Sequence, residues 1–329
     1  MKEEKVNNSN RNGRAFEAII FHQLVQQLKL NRRNLSADMP KKTMERQKID
    51  STFFNKLYED SIDLNNKNKT SDEKLYNSFI VTAPKIVNWM FNKFNLSNYE
   101  HLTLIKPDDN AGKLGDITDI RIEARISNKT EIINFSLKNN SSALKHSRLS
   151  GVPEWLGLDL NSSIAISYTK DLKATWDLIQ EDILKYEAHH SDTIYSFSDL
   201  NKINPMYKEN NLYLQNYIHV ESLLNQYSND IEKAIHLFKY LVGENYYKIN
   251  NKYKLVKPKV EILEFKNIPL PNSYRVSRDN NNYIILDFDN GWQISLRLHS
   301  ASTKLSASLK FDAQLKNTKK VLPQPEILT

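Results

Sequence analysis

Apolar and polar positions along the chain follow two rhythms, and each predicts its own kind of element. From Arg14 onward, Phe16, Ile20, Leu24 and Leu28 recur at every fourth position with Ile19 beside them, which is the stripe of an amphipathic helix. Further helices are predicted at about 72–95, where Pro84 should kink or split the element, at 172–188, and at 220–242, closed by Gly243. Between about 117 and 138 the rhythm changes to alternation. Ile120, Ile122, Ala124 and Ile126 alternate with Asp119, Arg121, Glu123 and Arg125, and then Ile133, Phe135 and Leu137 with Asn134, Ser136 and Lys138. A second such region covers 283–312. There Trp292, Ile294, Leu296 and Leu298 alternate with Gln293, Ser295, Arg297 and His299, and Leu305, Ala307, Leu309 and Phe311 continue the pattern. Alternation of this kind predicts half-buried antiparallel strands.

Turn chemistry converts the alternation into pairings. A two-residue turn at Asn128-Lys129 sets Ile120 opposite Leu137, Ile122 opposite Phe135 and Asp119 opposite Lys138. A loop two residues longer shifts the partners and keeps the faces, because side chains repeat every second residue. In the later region a loop at Ser300–Thr303 pairs Leu298 with Leu305, Leu296 with Ala307 and Trp292 with Phe311. Asp289-Asn290-Gly291 reads as a three-residue turn that brings Phe288 opposite Trp292.

Composition narrows the function classes. The 329 residues contain no Cys, which removes disulfides, thiolate metal sites and cysteine nucleophiles. The seven glycines form neither a dinucleotide-binding fingerprint nor a P-loop. No apolar run approaches the roughly 20 residues that cross a bilayer, and the first residues lack a secretory core, so a cytoplasmic protein is expected. The eight His show no H-E-x-x-H, and His189-His190 are adjacent, so a zinc hydrolase is disfavoured. A net charge of +7 favours a polyanionic partner. Residues 1–12 are polar and expected to be disordered. A basic stretch from Lys29 to Lys48 holds seven basic residues against two acids.

The first hairpin carries the candidate chemistry. Its polar face brings together the Asp119 carboxylate, the Ser136 hydroxyl and the Lys138 ammonium. Phosphodiester hydrolysis needs a divalent ion to polarise phosphate and acidify water, and a cation near the attacking oxygen. Mg2+ prefers oxygen ligands and is commonly held by one or two carboxylates plus water and phosphate. Asp119 supplies such a ligand, Lys138 the cation, and the Leu137 backbone carbonyl between them a further oxygen. The competing reading is a solvated cross-strand ion pair of little consequence. Asp116 is a rival ligand, although in this register it pairs near Ser141, beyond the strand.

Asp119 followed by Ser136-Leu137-Lys138 resembles the PD-(D/E)xK nuclease motif. Asn12-Gly13-Arg14-Ala15-Phe16-Glu17 resembles the first helix of many type II restriction endonucleases, in which a Glu often joins the metal site. The blocks Gly115–Ile120, Phe135–Asn140 and Ala143–Leu149, with Gly291–Ser302 late in the chain, are similar to the HaeIII-like branch. The chain departs from the motif in having Thr118 for Pro and Ser136 for the second acid. The resemblance implies that Glu17, or Glu123 on the same strand face as Asp119, supplies the missing charge. Glu17 is otherwise readable as a first-turn acid favoured by the helix dipole.

The same resemblance implies an α/β fold: a restriction-endonuclease-like mixed sheet flanked by helices, followed by a helical and antiparallel β-rich region. The nuclease core is expected over 13–190 and the recognition region over 191–329. Basic residues near the motif and on the late hairpin suit DNA. Lys145, His146 and Arg148 are placed for backbone phosphates, and Arg297, His299 and Lys304 for a groove that admits a two-stranded ribbon. Solvated loops and sheet faces are the alternative for both sets. Trp155 and Trp292 read as core residues. The implied function is Mg2+-dependent, sequence-specific cleavage of double-stranded DNA at a GGCC-type site. The enzyme would restrict foreign DNA alongside a cognate methyltransferase and act as a homodimer if its target is palindromic. The rivals are a non-catalytic nucleic-acid-binding protein and a nonspecific or structure-selective nuclease of the same fold.

Overall fold

A computed structural model describes residues 8–30, 36–107, 116–204, 209–280, 283–300 and 305–329. In chain order its strands are β1 (Ser36–Asp38), β2 (His101–Ile105), β3 (Ile120–Ile126), β4 (Lys129–Asn139), β5 (Ala143–Arg148) and β6 (Tyr246–Lys252). They continue with β7 (Lys259–Phe265), β8 (Tyr274–Asp279), β9 (Tyr283–Phe288), β10 (Gln293–Ser300), β11 (Leu309–Leu315) and β12 (Glu326–Leu328). The helices are α1 (Asn8–Leu30), α2 (Lys41–Ile62), α3 (Lys69–Phe94), α4 (Val152–Trp155), α5 (Ser163–His189), α6 (Glu209–Gln226), α7 (Ile231–Val242) and α8 (Thr318–Val321).

The chain divides into two units. One comprises Met1–Ser142, Glu244–Asn267 and Leu322–Thr329, and the other Ala143–Gly243 and Ile268–Val321. A linear split near 190 does not describe this packing, because β6, β7 and β12 return to the first sheet. That sheet is mixed, in the order β1-β2-β3-β4-β6-β7-β12, with β1 parallel to β2 and β4 parallel to β6. The second is antiparallel throughout, in the order β5-β11-β10-β9-β8. A mixed α/β architecture with a β-rich second part is thus what the resemblance implied. Among the described residues no helix is long and apolar enough to cross a membrane.

α1 buries the predicted stripe of Phe16, Ile20, Leu24 and Leu28. It starts at Asn8, so residues 8–12 are helical rather than disordered, and residues 1–7 lie outside the described residues. α3 runs unbroken through Pro84. Proline removes the amide that would bond the Ile80 carbonyl, but Ile80 and Val81 are exposed, so the loss falls on the solvent side of the helix. The helix expected at 220–242 is two, because Asp230 caps α7 by accepting from the Lys233 amide at 3.1 Å. Gly243, at φ 77°, ends α7 as expected.

Both hairpins keep their predicted faces and slip in register. Ile120 pairs with Phe135 and Ile122 with Ile133, around a turn at Ser127-Asn128 in which Ser127 has φ 52°. β11 begins at Leu309, so Leu298 pairs with Phe311 and Leu296 with Ala313. Residues 301–304 of the connecting loop lie outside the described residues. The Asp289-Asn290-Gly291 turn is as predicted: the Phe288 amide donates to the Trp292 carbonyl at 2.8 Å and Gly291 has φ 87°. Beneath β4, Trp89, Phe94, Phe135 and Tyr247 pack with ring centroids 5.1–6.5 Å apart, mostly edge to face.

Candidate active site

β4 runs four residues beyond its pairing with β3, so Ser136 to Asn139 are laddered to β6 alone. The last contact on the β3 side is the Asp119 amide donating to the Phe135 carbonyl at 2.8 Å. The Leu137 amide, next on that side, has no strand partner there, and the Asp119 carboxylate takes its place. Asp119 Oδ2 accepts from the Leu137 amide at 2.6 Å and from Ser136 Oγ at 3.2 Å, with Lys138 Nζ at 3.4 Å. Asp119 and Lys138 are 22% and 23% exposed at their side chains, so the pair is half-buried and still reachable from solvent. Ser136 is buried, which fits an orienting hydroxyl better than a metal ligand.

Glu17 joins this pair from α1. Burial first, and then the negative charge of Asp119, push its carboxyl up to about 7, against the opposing pull of Lys106 and Lys138. Asp119 thus raises the cost of ionising Glu17, and a cation placed between the two carboxylates relieves it. This donor set fits a divalent ion of the oxygen-seeking kind, held by two carboxylates and completed by water and phosphate. Among the described residues no cluster of three or more His, Asp or Glu side chains is assembled for a metal. Glu17 lies well past the first turn of α1, which removes the helix-dipole reading.

The rival acids are placed differently. Asp116 Oδ2 accepts from Arg121 Nη2 at 2.9 Å and its Oδ1 from the Thr118 amide at 2.9 Å, so it is committed to a local turn. Glu123 pairs across β3 with Ile132 and Thr103, and lies about 13 Å along the strand from Asp119 at roughly 3.3 Å per residue. Behind Glu17 is a charged group that lies outside the motif. Lys106 Nζ stands 3.6 Å from Glu17 Oε2 and 2.7 Å from Asp50 Oδ2. Asp50 also faces Arg14 Nη1 at 3.2 Å and Arg46 Nε at 3.4 Å. The available signal was a lysine directly after the apolar strand His101–Ile105, a position that places an amine at the rim of the sheet.

The basic candidates belong to the second unit. The segment carrying Lys145, His146 and Arg148, for which a solvated loop was the alternative reading, is strand β5, laddered to β11. Its alternation exposes His146 and Arg148 and turns Lys145 to the opposite side, with Nζ 3.6 Å above the Tyr240 ring. His146, Asp312 and Arg297 form one cross-strand row, and Arg148, Lys310 and His299 the next. Asp312 stands between His146 Nδ1 at 3.8 Å and Arg297 Nη2 at 3.9 Å. His299 Nδ1 is 2.9 Å from the Ser300 carbonyl oxygen, and Lys304 lies outside the described residues. Trp155 and Trp292 are buried, as read.

Residues 13–318 match the HaeIII restriction endonuclease family. The type II restriction enzyme HaeIII of Haemophilus aegyptius is 30% identical over 236 residues, covering 63% of this chain and 68% of that one. No solved structure matches. With a family match across nearly the whole length, the chain belongs to the HaeIII restriction endonuclease family and is a type II restriction enzyme, a sequence-specific DNA endonuclease.

Proposed function

We propose that the enzyme hydrolyses phosphodiester bonds of double-stranded DNA with Mg2+ at Asp119 and Glu17, and with Lys138 as the catalytic cation. The observation that carries this reading is the convergence of the Leu137 amide, Ser136 and Lys138 on one Asp119 oxygen, with Glu17 in electrostatic contact with the same pair. A divalent ion held by Asp119 and Glu17 would supply polarisation of the scissile phosphate and a lowered pKa for a water molecule. The residues of the chain do the rest. Asp119 and Glu17 supply the oxygen ligands. The Leu137 amide and Ser136 hydroxyl hold the Asp119 carboxylate in one orientation. Lys138 positions the attacking water and offsets the negative charge that builds on the phosphoryl oxygens.

Arg297 and His299, with Lys304, are assigned to the DNA groove, and His146 and Arg148 to backbone phosphates; Lys145 supports β5 by packing on Tyr240. The HaeIII relationship favours a GGCC-type target, a two-fold dimer on that palindrome, a matching methyltransferase and action in the cytoplasm against foreign DNA. Digestion of methylation-free plasmid DNA with Mg2+, followed by sequencing of the ends, tests the reading. Discrete fragments with ends at a GGCC-type site support it. A smear, or cleavage that survives Lys138→Ala, refutes it.

A further inference from the structure

Asp50 is completely buried, and Arg14, Arg46 and Lys106 all face its one carboxylate. Lys106 is nearly as enclosed, with 1% of its side chain exposed and its Nζ 5.7 Å from the Phe21 ring centroid. Burying an ammonium this deeply is costly, and an apolar pair of similar volume usually serves stability as well or better. The position of Lys106 gives the charge another purpose. It follows β2, and β2 is laddered to β3, the strand that begins directly after Asp119. Glu17 is carried by a different element, α1, and its Oε2 is 3.6 Å from Lys106 Nζ. Lys106 is thus a charged link between the sheet that carries Asp119 and the helix that carries Glu17.

We propose that Lys106, anchored by Asp50, is a positioning residue of the active site: its ammonium ties the Glu17 carboxylate to the sheet and thereby sets the spacing of the two acids that receive a divalent cation. The proposal rests on the reading of Glu17 as a cation ligand. Lys106 itself touches neither substrate nor cation; it acts through Glu17.

The test uses the full-length protein as wild type, Lys106→Met, Glu17→Gln and the double variant. Mn2+ binding to the DNA-free protein is followed by loss of the free-ion electron paramagnetic resonance signal, and kcat and KM are measured on plasmid DNA. Lys106→Met should weaken Mn2+ binding about tenfold and lower kcat by at least as much. Its KM for DNA should stay within about twofold of wild type. In the Glu17→Gln background the same change should move the Mn2+ midpoint by less than about twofold, because the acid it positions is gone. A lysine with a merely structural role leaves the Mn2+ midpoint of folded protein unmoved, or costs the same in both backgrounds, and either result overturns the proposal. If Lys106→Met fails to fold by circular dichroism, Lys106→Met with Asp50→Asn removes both members of the buried pair and goes through the same comparison. Wild-type Mn2+ binding and cleavage in Glu17→Gln would sink the reading of Glu17 beneath the proposal. Loss in Glu17→Gln with no change in Lys106→Met would sink the role of Lys106 alone.

Discussion

The Leu137 amide donates to Asp119 Oδ2 at 2.6 Å, a bond from the backbone of one strand to the side chain that precedes its neighbour. The middle residue of Ser136-Leu137-Lys138 therefore serves the site through its N–H, where the sequence suggested its carbonyl. Three donors on Oδ2 leave Oδ1 as the oxygen clear of them, so the carboxylate is turned before any ligand arrives. Orientation of this kind keeps reorganisation out of the reaction step.

Lys138→Ala should lower cleavage by about 10²–10³-fold or more while leaving DNA binding intact. Asp119 and Lys138 are both partly exposed, so loss of their pair should change stability by less than about 1 kcal/mol. Cleavage rates, gel shifts without Mg2+ and urea denaturation separate the three effects. Equal loss of binding and cleavage would move Lys138 out of the chemistry.

Glu17 makes stability pH-dependent in the absence of metal. Its carboxyl titrates near 4.5 in the unfolded chain and about 7 in the folded one, so the native state holds the extra proton between those values. The native state should therefore lose stability as pH rises from about 4.5 to about 7, by up to about 3 kcal/mol. Glu17→Gln should be more stable than wild type at pH 8 and level with it at pH 4. Denaturant midpoints at the two pH values check this, and a gap of equal size at both would contradict the raised pKa.

Arg297→Ala should cost about 1–3 kcal/mol of binding to the cognate sequence and relax preference at one base position. Arg148→Ala should weaken all sequences alike and reduce the salt slope by about one ion. Lys145→Ala should show its effect in unfolding instead, since its ammonium is spent on the Tyr240 ring. Affinities measured on cognate and scrambled duplexes at several salt concentrations distinguish the three variants.

Phe135→Ala should destabilise the first unit by about 3–5 kcal/mol, because it empties the centre of the cluster formed with Trp89, Phe94 and Tyr247. Thermal unfolding measures it directly. A loss below about 1 kcal/mol would mean that the neighbouring rings collapse into the space.

What could be read from the sequence was whatever depends on side-chain period. Alternation put Asp119, Ser136 and Lys138 on one face whatever the turn, and this survived a slip from the Leu137 to the Phe135 pairing of Ile120. The slip itself was not legible, because Ser127 adopts φ 52° without being Gly, leaving no residue signal for the turn. β5 was missed for a related reason. Six residues ending in Lys-His-Ser-Arg look like a solvated loop until β11, far along the chain, pairs with them and decides which cation faces out. β6 was hidden because all but the last of its residues are buried, so it shows no alternation. The Lys106–Asp50–Glu17 cluster is likewise assembled from three separate elements, a proximity that no local spacing encodes.

The placement of β6 beside β4 has a consequence for the synthesis of the enzyme. The strand that bears Ser136 and Lys138 stays without its parallel neighbour until residues 246–252 have left the ribosome, some hundred residues after Lys138 itself. A chain interrupted before that point carries every residue of the motif but leaves that strand an open edge. The ladder that holds Ser136 to Asn139 is thus completed only when synthesis is well advanced.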